Sequence, residues 1–385
     1  MKYSPANNHQ FVVISGDFPK SGIALPLGNR RVRASALRAL SLYKGKDFWS
    51  RAKIRLLEIF NFSFIWRMLF RKKFVMSPDS EWGNIFSFLE RELSTFNLQL
   101  STLAFSIYVG SGKYNLPLFD AKSGKALGHA KAYFPESAEY GENEIRILKE
   151  LEQTKIPDFL FPEVLSEGYA RKFFVAVLSP LPEETKRARA IGEKHLEFLR
   201  RLSETTGKRA KFEDSDFYRE FEKEMEFLKS APSEESGLME RVWNESLERL
   251  KGKEFLFSLT KREFPFFEMF KSNVNGQTSN VVIDWEHARY GWPPLFDVFN
   301  LCMSEGRFKR GEYAQIYEKN IKDIFFGKNK KTGRALKKML AYWKIPDEDT
   351  YWFFRLYLLD QLSIHLRAGH GPSAARVIAF LEKVG

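Results

Sequence analysis

Two carboxylates follow a short apolar run in the segment VVIDWEHARYGWPPLFD, residues 281–297. Asp284 comes directly after Val281-Val282-Ile283, and Glu286 follows two residues later. A carboxylate at the exit of a buried strand suits a hard cation such as Mg²⁺, which usually binds through one or two carboxylates together with substrate phosphates. A cap or an exposed turn also explains such a pair, so both interpretations stay open at this point.

Lys131 and Glu144 form a second candidate pair. Lys131 lies in the middle of the strand-like segment GHAKAYF, and Glu144 lies in the first turn of a helix predicted from GENEIRILKELEQ. An unpaired ammonium is costly to bury, so a lysine drawn into a strand needs an acidic partner. A lysine and glutamate paired in this way beside a nucleotide direct the lysine to the α- and β-phosphates. The alternative is an ordinary solvated strand lysine.

Glycines precede this strand. Gly110 and Gly112, in YVGSGKYN, permit a tight turn whose backbone amides face phosphates, and a plain hairpin turn accounts for them equally well. No G-x-x-x-x-G-K-[ST] segment occurs, so the sequence does not support a P-loop nucleotidase.

The elements that must position these residues follow from the hydrophobic periodicity. We expect residues 1–98 to form an N-terminal extension, 99–182 a β-rich lobe and 183–385 a helical lobe, which together make an α+β fold. Strands are predicted at 11–14, 23–27, 102–110, 113–120, 125–134, 174–182, 255–259 and 280–284. Helices are predicted at 33–44, 48–70, 80–95, 141–153, 190–206, 213–231, 233–250, 310–326, 331–344, 348–367 and 372–383.

Charge and cysteine content limit the classes of function. The net charge of +12 favours phosphate-bearing ligands, polyanions or anionic membranes. One cysteine, Cys302, excludes an internal disulfide framework and any zinc cluster of cysteines, and no secretory signal is visible, so we expect a cytoplasmic protein. No nucleic-acid-binding motif occurs, and nucleic acid is not expected as a partner.

Basic residues concentrate between residues 44 and 73, at both ends of an apolar stretch. The stretch is too short and too charged to cross a membrane. Two interpretations remain, a core helix with solvated basic ends and an amphipathic helix that lies on an anionic membrane surface.

The order of these motifs resembles the aminoglycoside phosphotransferase and choline kinase family: glycine turn, strand lysine, helix glutamate, proline-marked linker and VIDWEHARYGWPPLFDVFN. The resemblance covers roughly residues 100–370 and implies a protein-kinase-like bilobal fold that transfers a phosphoryl group from ATP to a small-molecule hydroxyl. It implies that Asp284 binds Mg²⁺, helped by Glu286, and that Asp297 braces the catalytic loop. Lys131 and Glu144 would orient ATP. Val177 and Leu178 would begin the hinge behind the adenine, which extends to Leu181.

The catalytic loop departs from the family. Its usual sequence, close to His-Gly-Asp-Phe-x-Pro-Trp-Asn, is replaced by KREFPFFE, with the register set by Phe264 and by the distance to Asp284. The resemblance therefore places Lys261 at the histidine, Arg262 at the glycine, Glu263 at the catalytic aspartate and Glu268 at the metal-binding asparagine. If the glycine position has a positive φ, Arg262 is strained there; alternatively, Arg262 or Lys261 neutralises the transferring phosphoryl group.

Two functional hypotheses follow. One is an active phosphotransferase that uses Glu263 as the base and acts on a hydroxylated acceptor, with a sugar suggested by look-alikes associated with surface polysaccharide synthesis. The other is a pseudokinase, a protein that keeps the fold and nucleotide binding and serves as an adaptor or regulator.

Overall fold

The computed structural model describes residues 10–15, 22–26, 30–44, 54–58, 61, 73–75, 80–94, 103–110, 112–182, 185–230, 236–274, 277–310 and 332–384. The chain divides into two compact units. Unit one consists of Met1–Glu152 with Pro162–Glu184, and unit two consists of Gln153–Phe161 with Thr185–Gly385.

Strands occur in both units. In chain order they are β1 (Gln10–Ser15), β2 (Gly22–Pro26), β3 (Lys73–Val75), β4 (Leu103–Phe105), β5 (Ile107–Val109), β6 (Lys113–Asp120), β7 (Ala126–Tyr133), β8 (Phe159–Leu160), β9 (Val164–Ala170), β10 (Phe173–Leu178), β11 (Lys186–Arg187), β12 (Lys208–Lys211), β13 (Glu254–Thr260), β14 (Met269–Val274), β15 (Gln277–Val282) and β16 (Arg289–Trp292).

The helices are concentrated in unit two. In chain order they are α1 (Arg30–Lys44), α2 (Glu81–Ser94), α3 (Ala138–Thr154), α4 (Glu193–Thr206), α5 (Asp216–Ser230), α6 (Ser236–Leu250), α7 (Leu295–Arg310), α8 (Thr332–Trp343), α9 (Asp347–Arg367) and α10 (Gly371–Val384). Residues 54–58 are also helical.

Unit one is built on an antiparallel sheet. Among the described residues its strand order is β3-β1-β2-β5-β6-β7-β10-β9, with β4 beside β6. Residues 1–98 thus contribute β1, β2 and β3 to the same sheet as the strands that follow them. The hairpin β6–β7 aligns Asn115 with Lys131 and β10 aligns Ala176 with Lys131, so the lysine lies on a central strand.

Alternation along the strands gives this sheet two apolar faces. Ile107 and Leu118 pack in one cluster with the apolar side of α2, whereas their chain neighbours Tyr108 and Phe119 pack in another with α1. Successive strand side chains point to opposite faces, which accounts for the division. The helix α3 carries Glu144 on its buried side.

Unit two combines helices with two small sheets. One sheet has the order β11-β14-β15-β8 and the other β12-β13-β16. Helix α9 is buried along most of its length, which fits its large apolar residues on all sides, and its buried residues include the charged Arg355 and Asp360. The candidate residues 261–268 connect the end of β13 to the hairpin β14–β15, and Asp284 follows that hairpin.

The predicted combination of a β-rich part and a helical part is confirmed, with most element boundaries within three residues. Eight elements were missed: β3, β8, β9, β11, β12, β14, β16 and α7. Strand β14 (MFKSNV) is too polar for its alternation to be recognised, and its hairpin partner β15 ends at Val282 rather than at Asp284. Residue 284 has φ +69°, a backbone conformation that cannot continue a strand. The predicted helix 310–326, and helix 48–70 except for 54–58, lie outside the described residues.

Candidate functional site

The hairpin β14–β15 brings two distant parts of the sequence to one end of the sheet. Met269 pairs with Val282, and the N–H of Ile283 donates to the carbonyl of Glu268 at 3.3 Å. Glu268 ends the loop that follows β13, and Asp284 comes directly after Ile283. Two of the predicted site residues are therefore positioned by the same hairpin.

Lys261 begins the loop and is fully buried. Its backbone N–H donates to Oδ2 of Asp297 at 2.8 Å. Its Nζ donates to the carbonyl of Glu263 at 2.6 Å and to Oε2 of Glu268. The ammonium thus turns inward, against the carboxylate that the sequence places at the metal-binding position.

Glu268 is surrounded by charge. Burial raises its pKa to about 8, Lys261 acts in the opposite direction, and the negative charges of Asp284 and Glu263 raise it further. Three carboxylates therefore act on one another in this region, and the nearby ammonium compensates only part of their repulsion.

Arg262 is held away from solvent. Its Nε donates to Oδ1 and Oδ2 of Asp360 at 3.0 and 3.1 Å, and its Nη2 also donates to Oδ1. The guanidinium lies 5.2 Å from the ring centroid of Trp292, whose Nε1 donates to the same carboxylate at 3.2 Å. Gln361 Nε2 donates to the Arg262 carbonyl at 3.0 Å. This buried network joins the loop to α9.

The backbone of Arg262 has φ +66°, the left-handed conformation expected of the glycine that it replaces. A side chain in this conformation costs roughly 1–2 kcal/mol. The ion pair with Asp360 holds the side chain in place in this conformation, because either charge without its partner would be buried uncompensated.

Glu263, the predicted base, is the most accessible carboxylate of the loop, with its side chain 34% exposed. Nε2 of His287 lies 3.7 Å from an oxygen of Glu263 and 3.7 Å from an oxygen of Glu286. Glu286 therefore lies beside the histidine. His287 was visible in the motif, but nothing in its spacing indicated that it would lie between two carboxylates.

Two further residues support the loop. Nδ1 of His195 accepts from the N–H of Gly192 at 3.1 Å, and its Nε2 lies 2.9 Å from the carbonyl of Phe266. The ring is therefore assigned a proton on Nε2, because a carbonyl can only accept. Ser304 Oγ accepts from the N–H of Phe266 at 3.2 Å. No sequence motif marks either side chain, because each contacts the loop only through the backbone of Phe266, which is far from it in the sequence.

Asp297 lies in the first turn of α7 and is buried. Burial raises its pKa to about 7, and the hydrogen bond from the Lys261 N–H acts in the opposite direction. Its Oδ1 has no hydrogen-bond partner within the described part of the chain. This carboxyl contacts the loop, where the resemblance places it.

In unit one, Lys131 and Glu144 meet. Nζ of Lys131 lies 2.7 and 2.8 Å from the two oxygens of Glu144, and the hydroxyl of Tyr133 donates to Oε2 of the same carboxylate at 2.7 Å. The carboxylate is fully buried and the lysine nearly so. The strand lysine is therefore paired rather than solvated.

The remaining nucleotide candidates lie on the same sheet. Gly110 and Gly112 flank the β5–β6 turn, where the N–H of Gly110 donates to the carbonyl of Lys113 at 2.9 Å. Gly112 has φ +67°, and a side chain there would collide with Ser137. Val177 and Leu178 are buried at the end of β10.

The carboxylates offer an incomplete site for a metal ion. Within the described residues, no group of three or more His, Cys, Asp or Glu side chains could hold a metal by itself. The carboxylate of Glu268 is already bound by Lys261, whereas Asp284 is partly exposed. Asp284 can bind one Mg²⁺ whose other ligands are phosphates and water. Glu268 can bind a metal ion only if that ion displaces the Lys261 ammonium.

Comparison with known families identifies the chain. Residues 129–323, which include Lys131, Glu144, the loop and Asp297, match the model of the phosphotransferase enzyme family, APH. This match covers just over half of the 385 residues. The chain belongs to the phosphotransferase enzyme family. Its α+β architecture, with a β-rich unit and a helical unit, is the protein-kinase-like fold of that family.

Several solved structures are similar to this family member. A thermostable mutant of aminoglycoside phosphotransferase APH(4)-Ia has 15% identity and a TM-score of 0.47, with 77% of this chain and 97% of that chain covered. The Plasmodium vivax ethanolamine kinase Pv091845 has 12% identity, coverage of 78% and 91%, and a TM-score of 0.44. Choline kinase LicA from Streptococcus pneumoniae has 11% identity, coverage of 77% and 97%, and a TM-score of 0.44.

No curated protein sequence matches the phosphotransferase-family chain significantly. In the ranges that the structure describes, none of its helices has the length and apolar character needed to cross a membrane. The basic segment 44–73, with its two interpretations, lies largely outside those ranges.

Proposed function

We propose that this family member binds ATP and transfers its terminal phosphoryl group to a hydroxyl group of a small molecule, with a sugar as the favoured acceptor class. The observation that carries the proposal is the buried contact among Lys131, Glu144 and Tyr133. Family membership supports the same reaction class.

The buried pair is better explained by binding than by stability. Taking two charges out of water costs several kcal/mol per ion, and well-packed apolar residues of similar size often serve folding equally well. Both oxygens of Glu144 contact the Lys131 ammonium, so the lysine is held in one orientation. An ammonium fixed in this way is suited to the α- and β-phosphates of a nucleotide.

The loop of unit two would supply the chemistry. Glu263, the accessible carboxylate, would take the proton of the acceptor hydroxyl as the acceptor oxygen forms its bond to phosphorus and ADP leaves. Asp284 would hold a single Mg²⁺, which when bound screens the charge of the phosphates. Asp297 and His195 would keep the loop in position through its backbone.

A thermal-shift titration tests nucleotide binding. A ligand that binds only the native state at a hundred times its Kd adds about 2.7 kcal/mol of stability. We expect ATP to raise the Tm with Mg²⁺ present, and Asp284→Ala to reduce that rise. No rise at millimolar ATP would contradict the proposal.

A turnover assay tests transfer. Incubation with ATP and a panel of sugars should release ADP in an acceptor-dependent way, and Glu263→Gln should abolish the release while leaving ATP binding intact. Equal release by Glu263→Gln would remove Glu263 from the reaction.

The second candidate function is a nucleotide-binding pseudokinase. The contact between Lys261 and Glu268 favours it, because it occupies the side chain at the position that the resemblance assigns to the metal-binding asparagine. Under this alternative ATP binds, no acceptor is phosphorylated, and Glu263→Gln changes nothing.

A further inference from the structure

The ammonium of Lys261 occupies a position that the loop itself defines. The backbone N–H of Lys261 is held by Asp297, and Nζ reaches back to the carbonyl of Glu263 two residues along the chain. Because both ends of the residue are fixed and the side chain is fully buried, the charge cannot move to solvent.

The ammonium is also the cation that the surrounding carboxylates require. Glu268 accepts its hydrogen bond, and the charges of Glu263 and Asp284 both act on Glu268. A buried carboxylate beside two others needs a positive partner, since an uncompensated buried charge is very costly. In this loop the positive partner is the ammonium of Lys261, a side chain of the protein itself.

We propose that the Lys261 ammonium is a built-in cation that takes the place of a metal ion at Glu268. The consequence for the nucleotide rests on the proposed function: ATP would bind with only one divalent ion, held at Asp284. The positive charge beside Glu268 is then present before any ligand arrives and does not depend on the metal concentration.

Mn²⁺ binding to the nucleotide-free protein, followed by electron paramagnetic resonance, tests the inference. Lys261→Met keeps the length of the side chain and removes its charge. We expect it to raise the Mn²⁺ affinity by roughly tenfold or more, because a like charge a few ångström from the ion is gone. The double variant Lys261→Met/Glu268→Gln should lose that gain.

Lys223→Met is the matched control. Lys223 is exposed on α5 and its loss changes the net charge equally, so its Mn²⁺ affinity should equal that of the unaltered protein. A folded Lys261→Met protein, shown by circular dichroism, that binds Mn²⁺ no better than the unaltered protein would overturn the inference.

Glu268→Gln in the otherwise unaltered chain keeps the test decisive if Lys261→Met does not fold. We expect this variant to bind Mn²⁺ at most about tenfold more weakly than the unaltered protein, because it removes a negative charge that acts on Asp284 but no metal ligand. A loss of more than about a hundredfold, beyond what a disturbed neighbour of a metal site costs, would overturn the inference. ATP titrations of the same proteins separate the two proposals: failure to bind ATP contradicts the proposed function, while the Mn²⁺ results alone decide the role of Lys261.

Discussion

Arg262→Gly restores the residue that the family resemblance places in the loop, and it should nevertheless destabilise the protein. Glycine relieves the positive φ of +66°, a gain of roughly 1–2 kcal/mol. The same change leaves Asp360 fully buried without its guanidinium partner. Removing one partner of a buried ion pair costs about 3–5 kcal/mol.

The loss is larger than the gain, so we expect the free energy of unfolding to fall by about 1–4 kcal/mol. Trp292 still donates to Asp360 in the variant, which keeps the cost from being higher. Urea unfolding followed by circular dichroism measures the change, with an unaltered slope showing that stability rather than compactness differs.

A double variant separates the two contributions. Arg262→Gly/Asp360→Asn removes the orphaned charge while keeping an oxygen for Trp292, so it should be more stable than Arg262→Gly alone. An Arg262→Gly protein with the same free energy of unfolding as the unaltered chain would refute the reasoning. The relief of backbone strain would then equal or exceed the cost of leaving Asp360 buried without its partner.

Two further predictions concern single groups. Tyr133→Phe should lower the free energy of unfolding by about 1.5–3 kcal/mol, since it removes a buried hydrogen bond to a charged group; Tyr169→Phe, which removes an exposed bond to Glu142, should change little in the same urea experiment. The raised pKa of Asp297 means that the folded state binds this proton more tightly than the unfolded state does. Its contribution to stability is therefore fullest below the ordinary pKa of 3.8 and falls as the pH rises to about 7. Asp297→Asn should flatten that decline in unfolding measurements from pH 4 to 7, and an unchanged slope would contradict the assignment.

The pairing of Lys131 with Glu144 was predictable because the two residues are only 13 positions apart in the sequence. A lysine inside an apolar strand requires a counter-charge. The next helix carries Glu144, in its second turn rather than in the predicted first turn, because α3 begins at Ala138. The third member of the contact, Tyr133, lies two positions after Lys131 on the same face of the strand, but only the packing of α3 shows that both side chains reach one carboxylate.

The interior of the loop was harder to predict. Arg262 and Asp360 are 98 residues apart, and no periodicity links a loop arginine to an aspartate in a buried helix. The possibility of a positive φ at Arg262 followed from the glycine that it replaces, but its partner did not. The inward turn of Lys261 depends on Asp297 and Glu268 together, which only the folded chain brings close.

Binding of ATP by a variant that lacks both charges of the buried pair decides whether Lys131 and Glu144 serve the nucleotide. Isothermal titration would compare the unaltered protein with Lys131→Met/Glu144→Gln, in which neither charge is left buried alone, and with Lys149→Met, whose lysine is exposed on α3. We expect the unaltered protein and Lys149→Met to bind ATP equally and the double variant not to bind it. Equal binding by all three folded proteins, or binding by none, would contradict this expectation.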